Sequence, residues 1–444
     1  MNFHDTNIAI VGFAREGQST LRFLLSHHVD PTKITILDKN TAAVIPDGFT
    51  SVLGENYLEN LSPYDMLIVT PGISPYTREL QDYNGIITSQ TDIFFRQYTG
   101  KIIGVTATKG KSTTVTLIHE MLRQAGKNVQ LVGNIGTPVL DTVDLNNPLD
   151  WIVYELSSHM LEYSDLCLDI AVLGNIYPDH LIYHNGFENY KNAKLHILGN
   201  TKHAVVGKQV FDDGYLKMET DSITTEHGVR IQANIVQIPD TTGYHLNGDD
   251  LYNGTERIMS GAEIHLLGAH NKRNILSVFA VGKIAGIPEP VIRKVCSDFR
   301  GLPHRLEFVG AFDGINFYDD AISTTPESTI EGILALDGRV DTIFLGGQDR
   351  GYDFSHLAQV LKEQKIRNVV LFPDSGDRIL PLLDQSSHRI LSTISMKEAV
   401  QFAYTHTENG KTCLLSTASP SYNLWRNYEA KGDEFQKFVN ENTY

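Results

Sequence analysis

Short apolar, β-branched runs that alternate with amphipathic stretches constrain this chain more than any other feature of its sequence. Near the start, IAIV (8–11), ITILD (34–38) and MLIVT (66–70) read as strands. Gly12 to Gly17 form a turn after the first of them, and a helix begins over Ser19 to Leu25. The pattern resumes with helix TDIFFRQY (91–98), strand KIIGVT (101–106) and helix STTVTLIHEMLRQAG (112–126). Strands NVQLV (128–132), WIVYEL (151–156) and IAVLGNI (170–176) follow. TIFLGG (342–347), NVVLF (368–372), HRILS (388–392) and TCLLST (412–417) repeat it once more. Strands alternating with helices make parallel sheets covered on both faces. Ligands in such sheets sit beyond the carboxyl ends of the strands.

A chain of 444 residues has room for about three domains. The stretch 205–266, rich in Gly, Asp, Thr and Asn, reads as a β-rich part of the middle domain, which helix NKRNILSVFAVGKIAG (271–286) closes. GLPHRLEFVG (301–310) reads as a linker, because Pro303 interrupts regular structure. The expected domains are therefore 1–92, 93–299 and 300–444. No apolar run reaches the ~18 residues of a membrane span, so no membrane partner is expected. A net charge of −16 disfavours a nucleic-acid surface. Cys167, Cys296 and Cys413 form no CxxC and cannot all pair, which suits the reducing cytoplasm.

The chemistry concentrates in GVTATKGKSTT (104–114), where a strand runs into a glycine–lysine loop and then a helix. Backbone N–H groups at such a helix start cradle phosphates. Lys111 would neutralise β/γ-phosphate charge, and the Ser112 hydroxyl would ligand Mg²⁺. Gly104 and Gly110 enclose five residues instead of the four of a strict phosphate-loop motif. Near the amino terminus GFAREG is not G-x-G-x-x-G, and as a dinucleotide signature it is weak. From the residues alone, two other classes stay open: a nucleotide-driven regulatory switch, and a nicotinamide-linked oxidoreductase.

The loop resembles the T-G-T-N-G-K-S/T loop of the Mur ligases and their folylpolyglutamate synthetase relatives, with Ala107 and Lys109 as departures. Further segments follow in that family's order. Val132–Gly136 resembles G-N-I-G, Tyr154–Ser158 resembles E-L-S-S, and Asn175–His180 resembles N-x-x-x-D-H. Lys194 falls where the family carries a carbamylated lysine. Gly268–Asn274 is similar to the H-N-x-x-N segment, and Leu302–Arg305 to L-P-H-R. Asp320 stands where the family has an aspartate at the ATP ribose, but the lysine of D-S-K-A-T-N is lost. Gly346–Arg350 resembles G-G-x-x-K with arginine for lysine, and Ser416–Ser421 with Arg426–Tyr428 resembles the carboxyl-terminal segment of the glutamate-adding branch.

The resemblance implies an α/β fold of three domains: a Rossmann-like UDP-binding domain, a central P-loop ATPase-like domain and a carboxyl-terminal Rossmann-like domain. It implies an ATP-dependent ligase joining UDP-N-acetylmuramoyl-L-alanine to D-glutamate through an acyl phosphate, for peptidoglycan precursor synthesis. L-glutamate addition is the alternative, with another Mur or folylpolyglutamate-type ligation behind it. Gly110, Lys111, Ser112, Thr113, Asn271, Asn274, Arg305 and Asp320 would bind ATP. Ser112, Glu155, His180 and a carbamylated Lys194 would hold two Mg²⁺ ions, with Lys111, Glu155, His180 and Lys194 as the catalytic set. The UDP-substrate would meet Gly12, Asp38, Thr70, Gly72, Asn134 and Ser157, and glutamate would meet Thr324, Arg350, Ser421 and Tyr428. A cytoplasmic monomer acting on small molecules is expected.

Overall fold

The computed structural model describes residues 3–133, 137–219 and 222–441. Two compact units divide them: residues 1–264 with 269–298, and residues 265–268 with 299–444. The first unit carries two parallel sheets. In one, Ile8–Val11 lies between Ile34–Asp38 and Met66–Val69, with Thr50–Leu53 and Ile86–Thr88 at the edges. Every residue of IAIV and MLIV is buried, as a strand between two helical layers requires.

The second sheet runs Asn234–Ile238, Thr201–Gly207, Leu168–Leu173, Ile102–Thr106, Trp151–Glu155, Val129–Gly133, all parallel. Its order reverses at Ile102–Thr106, so the carboxyl end of that strand opens onto the crevice where α/β sheets bind ligands. The β-rich stretch expected after residue 205 adds the edge strand Asn234–Ile238 and two three-stranded antiparallel sheets, over Leu216–Ile231 and Tyr244–Met259. Helices Lys111–Gln124, Ala269–Ile284 and Glu289–Asp298 pack together on one face, and Met121 and Ile292 close over Gly282.

The second unit holds a six-stranded sheet in the order Glu307–Phe312, Ile315–Asp319, Thr412–Leu415, Val340–Gly347, Asn368–Asp374, Arg389–Ser392. Only its first strand is antiparallel. Fully buried Ile343, Leu345, Leu357, Leu361 and Leu414 fill one face, and Phe317, Phe344, Phe372 and Phe435 the other.

Two sequence expectations need correction. The stretch 301–310 is not wholly a linker: Glu307–Phe312 forms a hairpin with Ile315–Asp319. Asp313 and Gly314, both at positive φ, make its two-residue turn, the backbone that Asp-Gly supplies. The first helix starts at Arg15, so Gly17 belongs to the helix and not to the turn. Cys167 is exposed, whereas Cys296 and Cys413 are buried. No helix among the described residues is long and apolar enough to cross a membrane.

Candidate active site

At the end of strand Ile102–Thr106 the chain turns through Ala107–Gly110 into helix Lys111–Gln124. Gly110 caps that helix at φ +91°, and a Cβ there would meet the Asn274 side-chain amide at 2.7 Å. Glycine is therefore required twice over, by backbone conformation and by the close approach of the helix bearing Asn271 and Asn274. Asn274 donates from Nδ2 to Asn271 Oδ1 at 3.2 Å, which sets both amides at the loop. Ala107, in place of the usual glycine, needs no left-handed backbone, as its absence from the positive-φ residues shows.

The loop is pinned to the segment Asn175–Tyr177. Thr108 N–H donates to Asn175 O at 2.8 Å, and Lys109 N–H donates to Asn175 Oδ1 at 3.0 Å. Tyr177 N–H and the Tyr190 hydroxyl both reach Thr108 Oγ1, at 2.9 and 2.7 Å. A turn held this way is fixed in advance, with the Thr108 and Lys109 N–H groups engaged by Asn175.

Four of the expected groups converge on this turn. The Ser112 hydroxyl donates to Glu155 Oε1 at 3.2 Å, and Glu155 ends the neighbouring strand wholly buried. Lys111 Nζ donates to Ala107 O at 2.8 Å. Lys194 Nζ donates to the same oxygen at 2.9 Å and to Thr106 Oγ1 at 3.3 Å. Burial, with Lys111 nearby, holds the Lys194 amine well below its ordinary value. His180 stands beside His159 at 4.8 Å between ring centroids, and burial lowers its pKa. Lys191, which as a helix lysine in sequence reads as a solvated charge, is 2% exposed and paired with Glu188 and Glu226.

Beside the phosphate turn, within the same unit, lies a cleft of about 430 Å³ walled by Arg15, Glu16, Thr70, Gly72, Ser157 and His159 among others. Of the residues expected at the UDP-substrate, Thr70, Gly72 and Ser157 line it. Gly12 and Asp38 are not among its described walls. Asp38 instead accepts from Phe13 N–H at 2.5 Å and Asn40 N–H at 2.7 Å, which shapes the turn behind the cleft. Asn134 lies outside the described residues. Burial raises the Glu16 carboxyl to about 7 and lowers His159 to about 3, the latter helped by His180, His184 and Lys194. Sequence reading missed both, since neither spacing nor residue type sets them apart.

In the second unit the expected amino-acid segments meet at adjacent strand ends. Gly346 N–H donates to Thr417 O at 2.9 Å, and Gln348 N–H to Pro420 O at 2.7 Å. Gly347, at φ +151°, lies where a Cβ would stand 2.4 Å from Pro420 O. The hydroxyls of Ser419 and Ser421 are buried with no hydrogen-bond partner, and Tyr428 opens the last helix. Arg350 is exposed, its Nε donating to Gln348 Oε1 at 3.1 Å, and Thr324 is half-buried. Asp320 is buried, accepts from Leu306 N–H at 3.1 Å and the Ser416 hydroxyl at 2.7 Å, and is raised to about 6. Arg305 lies in the same unit, two residues ahead of the first strand. Lys431, also missed in the sequence, is fully buried against the Thr417 hydroxyl, and burial lowers it to about 7.

A glycine–lysine–serine turn at a sheet's switch point, with a buried carboxylate on the next strand, is the arrangement with which α/β scaffolds bind phosphates. Residues 105–282 match the Mur ligase middle domain. UDP-N-acetylmuramoylalanine–D-glutamate ligase of Streptococcus sanguinis is 32% identical, over 98% of this chain and 97% of its own. UDP-N-acetylmuramate-alanine ligase MurC from Thermotoga maritima shares the fold, with a TM-score of 0.56 at 17% identity over 98% and 99% of the two chains. MurF ligase from Thermotoga maritima, in complex with ADP, does so at 0.55 and 14%, over 98% and 94%. The chain belongs to the Mur ligase family, in the branch whose members carry the name UDP-N-acetylmuramoylalanine–D-glutamate ligase.

Proposed function

We infer that this chain joins D-glutamate to UDP-N-acetylmuramoyl-L-alanine with hydrolysis of ATP, a step of peptidoglycan precursor synthesis in the cytoplasm. The observation that carries the reading is the convergence of Lys111, Ser112, Glu155 and Lys194 on one rigid phosphate turn, in a chain whose relatives bear that name over nearly their whole length. The acceptor carboxylate attacks the γ-phosphorus, the bond to the β-phosphate oxygen breaks, and ADP departs from an acyl phosphate. The glutamate amine then attacks the acyl carbonyl, loses a proton, and phosphate leaves. Phosphoryl transfer needs in-line positioning and charge neutralisation more than covalent help. Lys111 and the N–H groups at the start of helix Lys111–Gln124 supply both, and Asn271 and Asn274 hold the nucleotide there.

Mg²⁺ fits the donor set. The Ser112 hydroxyl and Glu155 carboxylate are hard oxygen ligands 3.2 Å apart beside the phosphate turn. Bound there, the ion would draw charge off the phosphate oxygens. Lys194 suits carbamylation: burial holds its amine well below the ordinary value, the neutral amine can attack CO₂ through nitrogen, and loss of a proton leaves a carboxylate facing the same turn. With His180, that carboxylate would complete a place for a second ion. In the cleft Thr70, Gly72 and Ser157 hold the UDP-substrate, with Gly12 and Asp38 shaping its turn. Ser421, Tyr428, Thr324 and Arg350 hold glutamate, and Asp320 with Arg305 completes the nucleotide contacts. The chain acts as a monomer.

Phosphate release with UDP-N-acetylmuramoyl-L-alanine, ATP and a panel of amino acids tests the reading. Release that depends on D-glutamate is expected. Release indifferent to the amino acid, or dependent on another one, would overturn it.

A further inference from the structure

Behind the cleft a continuous line of hydrogen bonds runs from the turn after strand Met66–Val69 to the turn after strand Trp151–Glu155. The Tyr76 hydroxyl donates to Glu162 Oε1 at 3.1 Å. That carboxylate lies 2.6 Å from His184 Nδ1, and His184 Nε2 lies 3.0 Å from Ser158 Oγ. A carboxylate only accepts, so Nδ1 carries a proton towards Glu162, and Nε2 shares a hydrogen bond with the Ser158 hydroxyl. His184 is fully buried and Ser158 is 3% exposed. Serine, histidine and carboxylate are therefore ordered as in an acyl-transfer triad, but the buried hydroxyl cannot meet a substrate. The line joins parts of the site instead. Ser158 follows Ser157, which walls the cleft, and comes three residues after Glu155. His184 comes four residues after His180. Tyr76 follows the cleft residues Thr70 and Gly72, and its loop is held a second time: Ser74 Oγ donates to Tyr183 O at 2.5 Å, and the Tyr183 hydroxyl to Ile73 O at 3.0 Å.

We propose that Tyr76, Glu162, His184 and Ser158 form a positioning relay that fixes the acceptor-substrate loop 70–76 in register with the strand end bearing Glu155. The inference rests on the ligase reading above. These four are positioning residues, because none is argued to touch reacting atoms. Their work is to keep the acceptor carboxylate in line with the γ-phosphorus, where small displacements cost large factors in rate.

A double-mutant cycle with Tyr76→Phe and Ser158→Ala tests it, with KM for UDP-N-acetylmuramoyl-L-alanine, KM for ATP and kcat measured for each. Each single change should lower kcat/KM for the acceptor by about tenfold, the scale of one lost hydrogen bond. KM for ATP should stay within about twofold of wild type, and the double variant within about twofold of the worse single one. Equal movement of both KM values, multiplicative losses, or unchanged acceptor kinetics would each overturn the relay. Should Ser158→Ala fail to fold, Glu162→Gln takes its place in the cycle. Wild-type turnover run alongside separates the two ideas: no D-glutamate-dependent turnover removes the ligase reading itself, whereas normal turnover with indifferent variants removes only the relay.

Discussion

Lys111 and Lys194 present their side-chain nitrogens to one carbonyl oxygen, that of Ala107, and this shared contact shapes the chemistry of both. Burial first, and then the neighbouring Lys111, hold the Lys194 amine well below its ordinary value. We expect Lys111→Ala to lower turnover by a hundredfold or more at saturating ATP, the ~3 kcal/mol typical of a lost transition-state charge. A variant keeping a tenth of wild-type turnover would contradict that role. Lys194→Ala should be inactive and partly restored by acetate, a carboxylate stand-in for the carbamate. Full activity in Lys194→Arg would show that a positive charge suffices. Glu16 gives a prediction that needs no turnover. Its folded-state value, about 7, lies above the ordinary 4.5, so the folded chain holds that proton more tightly than the unfolded one. Its contribution is complete below pH 4.5 and is lost as pH rises towards 7. Glu16→Gln does not titrate, so its melting temperature should gain on wild type across that window, by up to about 3 kcal/mol of stability. A gap that stays constant with pH would contradict the assignment. Gly110, Lys111, Ser112 and Glu155 were legible in sequence because the first three follow one strand end closely and Glu155 closes the next strand. Glu16, His184 and Lys431 were not, because burial and partners far along the chain give them their character.

Among the elements, strands with unbroken apolar runs could be read directly, and those with alternating or exposed faces could not. IAIV, MLIV and IIGVT are buried at every position. INFYD alternates buried and half-buried residues, and TSVL is largely exposed at a sheet edge. The Asp313-Gly314 turn was a hairpin signal in plain sight, but Pro303 ten residues earlier drew the reading towards a linker. The loops after Val340–Gly347 and Thr412–Leu415 were found from sequence, yet only the structure shows them hydrogen-bonded to each other. Two buried hydroxyls, those of Ser419 and Ser421, lie there with no hydrogen-bond partner. We expect Ser421→Ala to raise KM for glutamate about tenfold, one hydrogen bond to a charged group, and to leave KM for ATP unchanged. Equal shifts in both would remove Ser421 from the amino-acid site. Pure enantiomers should show D-glutamate as the substrate. A clear preference for L-glutamate would mean that Arg350, a planar fork in place of lysine, has redirected the distal carboxylate.

For the whole molecule, composition and strand pattern delivered the class early: α/β throughout, with no membrane helix among the described residues. The order of motifs along the chain delivered the family, because most of them sit at the carboxyl ends of strands or at helix starts, where α/β sheets bind their ligands. What the sequence withheld was the wiring between those ends, such as the hydrogen bonds from Thr108 to Asn175 and Tyr177 and from Tyr76 through to Ser158. The central claim is that the phosphate turn passes a phosphoryl group to the acceptor carboxylate before the amide forms. Ligation with acceptor labelled by ¹⁸O in its alanyl carboxylate measures this directly. One labelled oxygen should appear in the released phosphate at each turnover, carried over when the acyl phosphate breaks. Released phosphate free of label, with amide product formed, would contradict the account.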